Sequence, residues 1–164
     1  MKNQKILVTG FKPFLNEPVN PSELLVKSLA TKRNDIETLI LPVTYDGSFK
    51  ALESQWKEKT YKAILMLGQA GGRNSVCLER VALNWTESSH PDESGHKPTP
   101  GHLIADAPAS YIVDFFPTAW KEELEKIAPT SVSHSAGTYV CNSLYYNVIH
   151  SITDRKSTRL NSSH

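Results

Sequence analysis

The stretch Lys5-Ile6-Leu7-Val8-Thr9-Gly10 decides how the chain is organised. It is short, apolar and β-branched, and it stops at a glycine, the pattern of a strand buried on both faces in a parallel sheet. Residues 62–68, Lys-Ala-Ile-Leu-Met-Leu-Gly, form a second run of the same kind. Between the two, Asn20 is placed to cap a helix that has Pro21 at its first position and carries Leu25 and Leu29 on one face. Residues 37–43 then read as another strand, and 48–59 as a helix with Phe49, Leu52 and Trp56 at helical spacing. Strand, glycine-ended loop, helix and strand again predict an α/β fold with a mostly parallel sheet. Functional groups of such sheets gather beyond the strand carboxyl ends, two of which are marked by Gly10 and Gly68.

Further along, residues 74–84 predict one strand with the charged pair Glu79-Arg80 in its middle. A polar loop over 88–101 follows, then a short helix near 109–113 and a better one over 118–127, with Trp120, Leu124 and Ile127 on one side. Leu144, Val148 and Ile152, spaced by four, predict a last helix over 142–152. Residues 155–164, RKSTRLNSSH, hold three serines, three cations, one leucine and no acid, and read as a frayed or non-native end. The expected organisation is a single domain over residues 1–153 with a tail over 154–164.

Bulk properties narrow the function classes. The chain has 164 residues, 39% hydrophobic and 21% charged, the profile of one globular domain. A formal charge of +1 gives no basic excess for nucleic acid or an anionic membrane. No apolar run approaches the roughly 20 residues of a spanning helix, and the first residues lack a secretory pattern. The two cysteines, Cys77 and Cys141, make no disulfide framework. A cytoplasmic enzyme or binding domain is expected.

The candidate chemistry centres on Cys141, in Ser135-Ala136-Gly137-Thr138-Tyr139-Val140-Cys141-Asn142. A cysteine where a helix begins meets free backbone N–H groups and the positive end of the helix dipole, which favour the thiolate and suit an oxyanion. A small buried filler is the alternative. Glu79 shares a strand face with Cys77, Val81 and Leu83; it is either half of a structural salt bridge or a carboxylate that orients a histidine. Phe11 and Phe14 are either loop anchors or a platform for a flat ligand. Gly68-Gln69-Ala70-Gly71-Gly72-Arg73 offers backbone amides but lacks the elements of a phosphate loop.

No histidine presents itself as the base for Cys141. His150, nine residues on, falls on the opposite helix face, roughly 13 Å along the axis. His90, His96 and His102, at intervals of six, match no usual zinc spacing. His134 reaches the cysteine only through a tight loop, and His164 ends the tail.

Three segments together resemble the pyroglutamyl peptidase I (pyrrolidone-carboxylate peptidase) family of cysteine peptidases. They are Gly10-Phe11-Lys12-Pro13-Phe14 with Asn20-Pro21-Ser22; Gly68 to Arg73 running on to Glu79-Arg80-Val81-Ala82-Leu83-Asn84; and Ser133 to Asn142. The resemblance implies a three-layer α/β/α sandwich, no cofactor or metal, a cytoplasmic location, and a homo-oligomer, often a tetramer. The partners it implies are peptides with N-terminal pyroglutamate, cleaved through an acyl-enzyme. By position, Cys141 is the nucleophile, Glu79 the acid that orients the histidine, Phe11 and Phe14 the lining for the lactam ring, and the Gln69 loop a source of backbone hydrogen bonds. The family's histidine lies downstream of the cysteine in a Gly-Phe-x-His-x-Pro segment, where RKSTRLNSSH stands here. The likeness stops near residues 150–153, so a C-terminally truncated member, short of the last strand and helix and impaired in catalysis, is expected. The runner-up is an inactive domain that binds pyroglutamate or peptide ends; a nucleoside phosphorylase-like enzyme lacks its phosphate site.

Overall fold

The computed structural model describes residues 4–114 and 118–162. These form two compact units: one takes the chain up to Gln69 together with Ser89–Lys97, the other takes Ala70–Ser88 and the chain from Pro98 onwards.

The first unit is built on β1 (Lys5–Phe11), the central strand of a three-stranded parallel sheet. Its neighbours are β2 (Ile36–Leu41) and β3 (Tyr61–Met66), reached through α1 (Pro21–Lys32) and α2 (Tyr45–Glu58). Leu7, Val8 and Phe11 of β1 are buried, as its apolar run predicts. Asn20 caps α1 as expected: its Oδ1 accepts from the Ser22 N–H at 3.0 Å, and its Nδ2 donates to the Lys12 carbonyl at 3.2 Å. Ser22 Oγ in turn donates to Asn20 Oδ1 at 2.8 Å and accepts from the Phe11 N–H at 3.0 Å. This relay fastens the end of β1 to the start of α1, and it gives the Asn-Pro-Ser triplet a physical reason.

The relay also corrects the packing face of α1. With Ser22 tied to β1, the inward face runs through Ser22 and Val26, while Leu25 is 50% exposed. Expected to be buried, β3 instead exposes Ala63 and Leu65, because among the described residues it pairs only with β1. In α2, Ser48, Leu52 and Trp56 are buried and Phe49 packs edge-on against Trp56. The polar loop of this unit is ordered around the buried Asp92, whose carboxylate accepts from the backbone N–H groups of Tyr45, Ser94 and His96.

The second unit pairs β4 (Val76–Glu79) in parallel with β7 (Thr130–Ser133), and β5 (Val81–Leu83) antiparallel with β6 (Ser110–Ile112). The single strand expected over 74–84 is thus two. The break falls at Arg80, whose N–H donates to Ser133 O at 2.8 Å while its carbonyl accepts from Val113 N at 2.7 Å, so the chain changes partners there. Residues 110–112, expected in a helix, form β6 instead; Tyr111 and Ile112 favour strands, and β5 provides an edge to pair with. In Thr-Ser-Val-Ser, β7 has one apolar residue and carries no periodic signal of its own.

Two helices complete the unit, α3 (Thr118–Glu125) and α4 (Val140–Ser162). Trp120 and Ile127 do not make the buried face expected of them. They are 44% and 86% exposed, and Ile127 lies past the helix end, where its N–H closes a turn onto Leu124 O. In α4, Val140, Leu144 and Val148 are buried along with Tyr146, and Ile152 is half out. The helix continues to Ser162, so its backbone runs through most of the 155–164 segment. Among the described residues no helix is long and apolar enough to cross a membrane.

Gly10 is packed closely against the backbone of α1. A Cβ there would stand 2.7 Å from Ser22 O and 2.9 Å from Val26 Cγ2. Gly10→Ala is therefore expected to cost about 1–3 kcal/mol through overpacking against backbone, read as a lower urea midpoint at unchanged slope.

Candidate active site

The parallel pairing of β4 with β7 sets Glu79 opposite Ser133, at the carboxyl ends of both strands. Beyond Ser133 the chain turns through His134 to Tyr139 and enters α4, with Cys141 in its first turn. The turn is knitted by small polar groups: Ser133 Oγ donates to Ser135 O at 3.0 Å, and Ser135 Oγ accepts from the Gly137 N–H at 3.1 Å. Gly137 has φ +80, the left-handed conformation that glycine takes at least cost. The other end of the turn is held by Thr138, whose hydroxyl donates to Glu87 O at 2.7 Å.

Two side chains of α4 hold the helix start to the strands. Asn142, wholly buried, accepts from the Leu83 N–H at 3.0 Å and donates to Leu83 O at 3.0 Å and Trp85 O at 3.3 Å. One amide thus pairs with both backbone groups of a β5 residue. Tyr145, one turn beyond Cys141, donates its hydroxyl to the Glu79 carbonyl at 2.7 Å. Cys141 and Glu79 belong to one unit and their positions are fixed through these contacts.

The electrostatics differ from the sequence expectation. Burial pushes the Cys141 thiol up to about 11, and the charge of Glu79 adds to the rise; its own backbone N–H at the helix start acts the other way. The same two causes raise the Tyr145 phenol to about 12. A helix N-terminus favours the thiolate, but here desolvation and a facing carboxylate outweigh it. Glu79 Oε1 accepts from Arg73 Nη1 at 2.7 Å, whereas Oε2 is buried without a hydrogen-bond partner among the described residues.

The remaining candidates fall as follows. Phe11 is 3% exposed and packs in the core of the first unit, with its N–H on Ser22, and Phe14 is half-buried. Past Phe14 the backbone bends sharply at Leu15 (φ 53) and Asn16 (φ 61), where the Leu15 N–H donates to Glu93 Oε1 at 3.0 Å. Gln69, in the same unit beyond the end of β3, is half-buried, and its Oε1 is buried without a partner among the described residues. His150 is turned to β6, with Nδ1 2.7 Å from the Tyr111 hydroxyl and its ring stacked on Tyr146. His102 places Nδ1 3.2 Å from Asn84 O, His134 is exposed in the turn, and His164 lies outside the described residues. Cys77 lies on β4 beside Ser75 and Ser131. Arg73, Asn142 and Tyr145 received no individual role from the sequence. The available signal was Asn142 itself, since an asparagine inside a helix is costly unless its side chain has a partner.

With this geometry in hand, the pyroglutamyl peptidase family model matches residues 4–163. The pyrrolidone-carboxylate peptidase of Thermococcus kodakarensis is 40% identical over 151 residues, 90% of this chain and 73% of that relative. That of Brevibacillus brevis is 36% identical over 157 residues, 93% of this chain and 73% of the relative. Among solved structures, the crystal structure of Bacillus amyloliquefaciens pyroglutamyl peptidase I superposes with a TM-score of 0.85 at 36% identity, covering 92% of this chain and 75% of that one. The enzyme of Fervidobacterium islandicum AW-1 gives 0.84 at 41% identity, with 90% and 73% covered. The chain belongs to the pyroglutamyl peptidase family. It has the α/β fold of these relatives, as the strand and helix pattern predicts.

Three outcomes test the site's physics. Asn142→Ala leaves the Leu83 backbone groups unpaired and is expected to cost about 2–4 kcal/mol in urea unfolding. Cys141 alkylation by iodoacetamide is expected to rise about tenfold per pH unit until the thiol ionises near 11. Glu79→Gln removes a charge that opposes the thiolate, and so moves that profile to lower pH.

Proposed function

We propose that this chain has the activity of its family: a cysteine omega-peptidase that removes N-terminal pyroglutamate from peptides. Cys141 is the nucleophile and Glu79 the acid that orients its base. The family resemblance extends this reading to Phe11 and Phe14 for the lactam ring and to the Gln69 loop for backbone hydrogen bonds. The observation that carries this reading is that Glu79, at the end of β4, and Cys141, in the first turn of α4 after β7, lie in one unit on either side of the Ser133–Tyr139 turn. In the reaction the Cys141 sulfur bonds to the pyroglutamyl carbonyl carbon, and the carbonyl oxygen takes the negative charge. Free N–H groups in the first turn of α4 suit that oxygen. The C–N bond then breaks as the amine takes a proton, and water hydrolyses the acyl-sulfur bond. A base must accept the thiol proton and return it to the amine, and the unpartnered Oε2 of Glu79 suits the N–H of such a base.

The resemblance extends this reading to a cytoplasmic homo-oligomer, tetrameric in the family. It also extends to a peptidase domain over residues 1–153 followed by a segment 154–164, through which the backbone of α4 continues to Ser162.

A second reading, an inactive domain that retains pyroglutamate binding, is favoured by one observation. The thiol is pushed up to about 11, and no described imidazole hydrogen-bonds Glu79 Oε2. Loss of the base is worth about 10²–10⁴-fold for each proton transfer it serves.

Turnover of a pyroglutamyl-coumarin substrate decides between them. The peptidase reading expects weak release, blocked by iodoacetamide and lost in Cys141→Ser. Release no higher than in Cys141→Ser, together with calorimetric binding of pyroglutamate, leaves the binding domain.

A further inference from the structure

Arg73 is the contact that joins the acid to the turn before the nucleophile. Its Nη1 donates to Glu79 Oε1 at 2.7 Å and to Ser133 Oγ at 3.1 Å, and its Nη2 donates to Ser135 O at 2.7 Å. One planar fork therefore spans the end of β4, the end of β7 and the first residues of the turn into α4. The Arg73 guanidinium also holds the thiol of Cys77, which shares the Glu79 face of β4, below its ordinary range. The Arg73 and Glu79 side chains are 35% and 24% exposed. An ion pair that is this open to solvent contributes little to stability. What the fork sets is direction: it takes Oε1 and leaves Oε2 buried and unpartnered among the described residues.

We propose that Arg73 is a positioning residue for the peptidase reaction: it turns Glu79 so that Oε2 faces the base, ties the carboxylate to the Ser133–Ser135 turn, and offsets part of the negative charge that Glu79 places on Cys141. The proposal rests on the reading of Glu79 as the orienting acid. The titratable groups that bear on one another here are Glu79 and Cys77 from β4, Cys141 and Tyr145 from α4, and Arg73 itself. If Arg73 acts through Glu79, its removal matters to Cys141 only while Glu79 carries its charge.

The test is a double-mutant cycle on the whole chain. Iodoacetamide alkylation is followed at pH 8, with the Cys141 and Cys77 peptides read separately by mass spectrometry. R73Q is expected to slow Cys141 labelling about three- to tenfold, because an unbalanced carboxylate disfavours the thiolate. In an E79Q background the same substitution is expected to leave the Cys141 rate unchanged. R73K, which keeps the charge without the fork and guards against misfolding of R73Q, is expected to retain most of the wild-type rate. An unchanged Cys141 rate in R73Q overturns the proposal. So does an equal slowing in both backgrounds, the mark of a structural role. Slower Cys77 labelling in R73Q reports that the guanidinium has left its place, and Cys77 labelling that does not slow counts against the cluster. Alkylation needs no turnover, so a chain without peptidase activity defeats the functional reading and leaves this cycle intact.

Discussion

The site depends first on the buried amide of Asn142. A helix start and a strand end meet in this unit without a shared backbone ladder, and Asn142 replaces one by pairing with both the N–H and the carbonyl of Leu83. Buried polar groups are costly when unpaired and specific when satisfied. The amide therefore fixes the rotation of α4 about its axis as well as its distance from β5. Cys141 precedes Asn142 in the chain, so the direction of its thiol is set by its neighbour's hydrogen bonds. Tyr145 adds a second tie, from the same helix to the carbonyl of the acid.

That mechanical fixing has an electrostatic consequence. Desolvation and a nearby carboxylate both raise the energy of the thiolate, which pushes the Cys141 thiol above its ordinary range. A cation between the two would reverse the balance, since an imidazolium stabilises the thiolate and is itself stabilised by the acid. Arg73 supplies positive charge at Oε1 and leaves Oε2 without a hydrogen-bond partner among the described residues.

Much of this was legible in the sequence. The short apolar runs ending at glycine identified β1 and β3, and Asn20-Pro21 marked the start of α1, because these are local signals with local causes. Leu144 and Val148 located α4 in the same way. What local pattern could not reveal was pairing. Residues 110–112 became a strand because β5 offers an edge, and β7 exists because β4 lies beside it, although Thr-Ser-Val-Ser has little apolar content. Ser22 looked like an ordinary first-turn serine and turned out to define the buried face of its helix through one bond to Phe11. At the site, the residue types of Cys141 and Glu79 stood out, but the state of the thiol did not. Its ionisation depends on burial and on a charge that sequence spacing cannot place.

The same distinction explains why the family pattern is spread over separated segments. Each segment ends a strand or begins a helix, where backbone groups lack partners and side chains must supply them. Asn20 and Ser22 do so for β1 and α1, Thr138 and Ser135 do so for the turn into α4, and Asn142 does so for β5. Cys141 on a helix and Glu79 on a strand keep their separation only if the elements that carry them cannot slide. A substitution among them would lower activity through geometry while leaving both reactive groups in the chain.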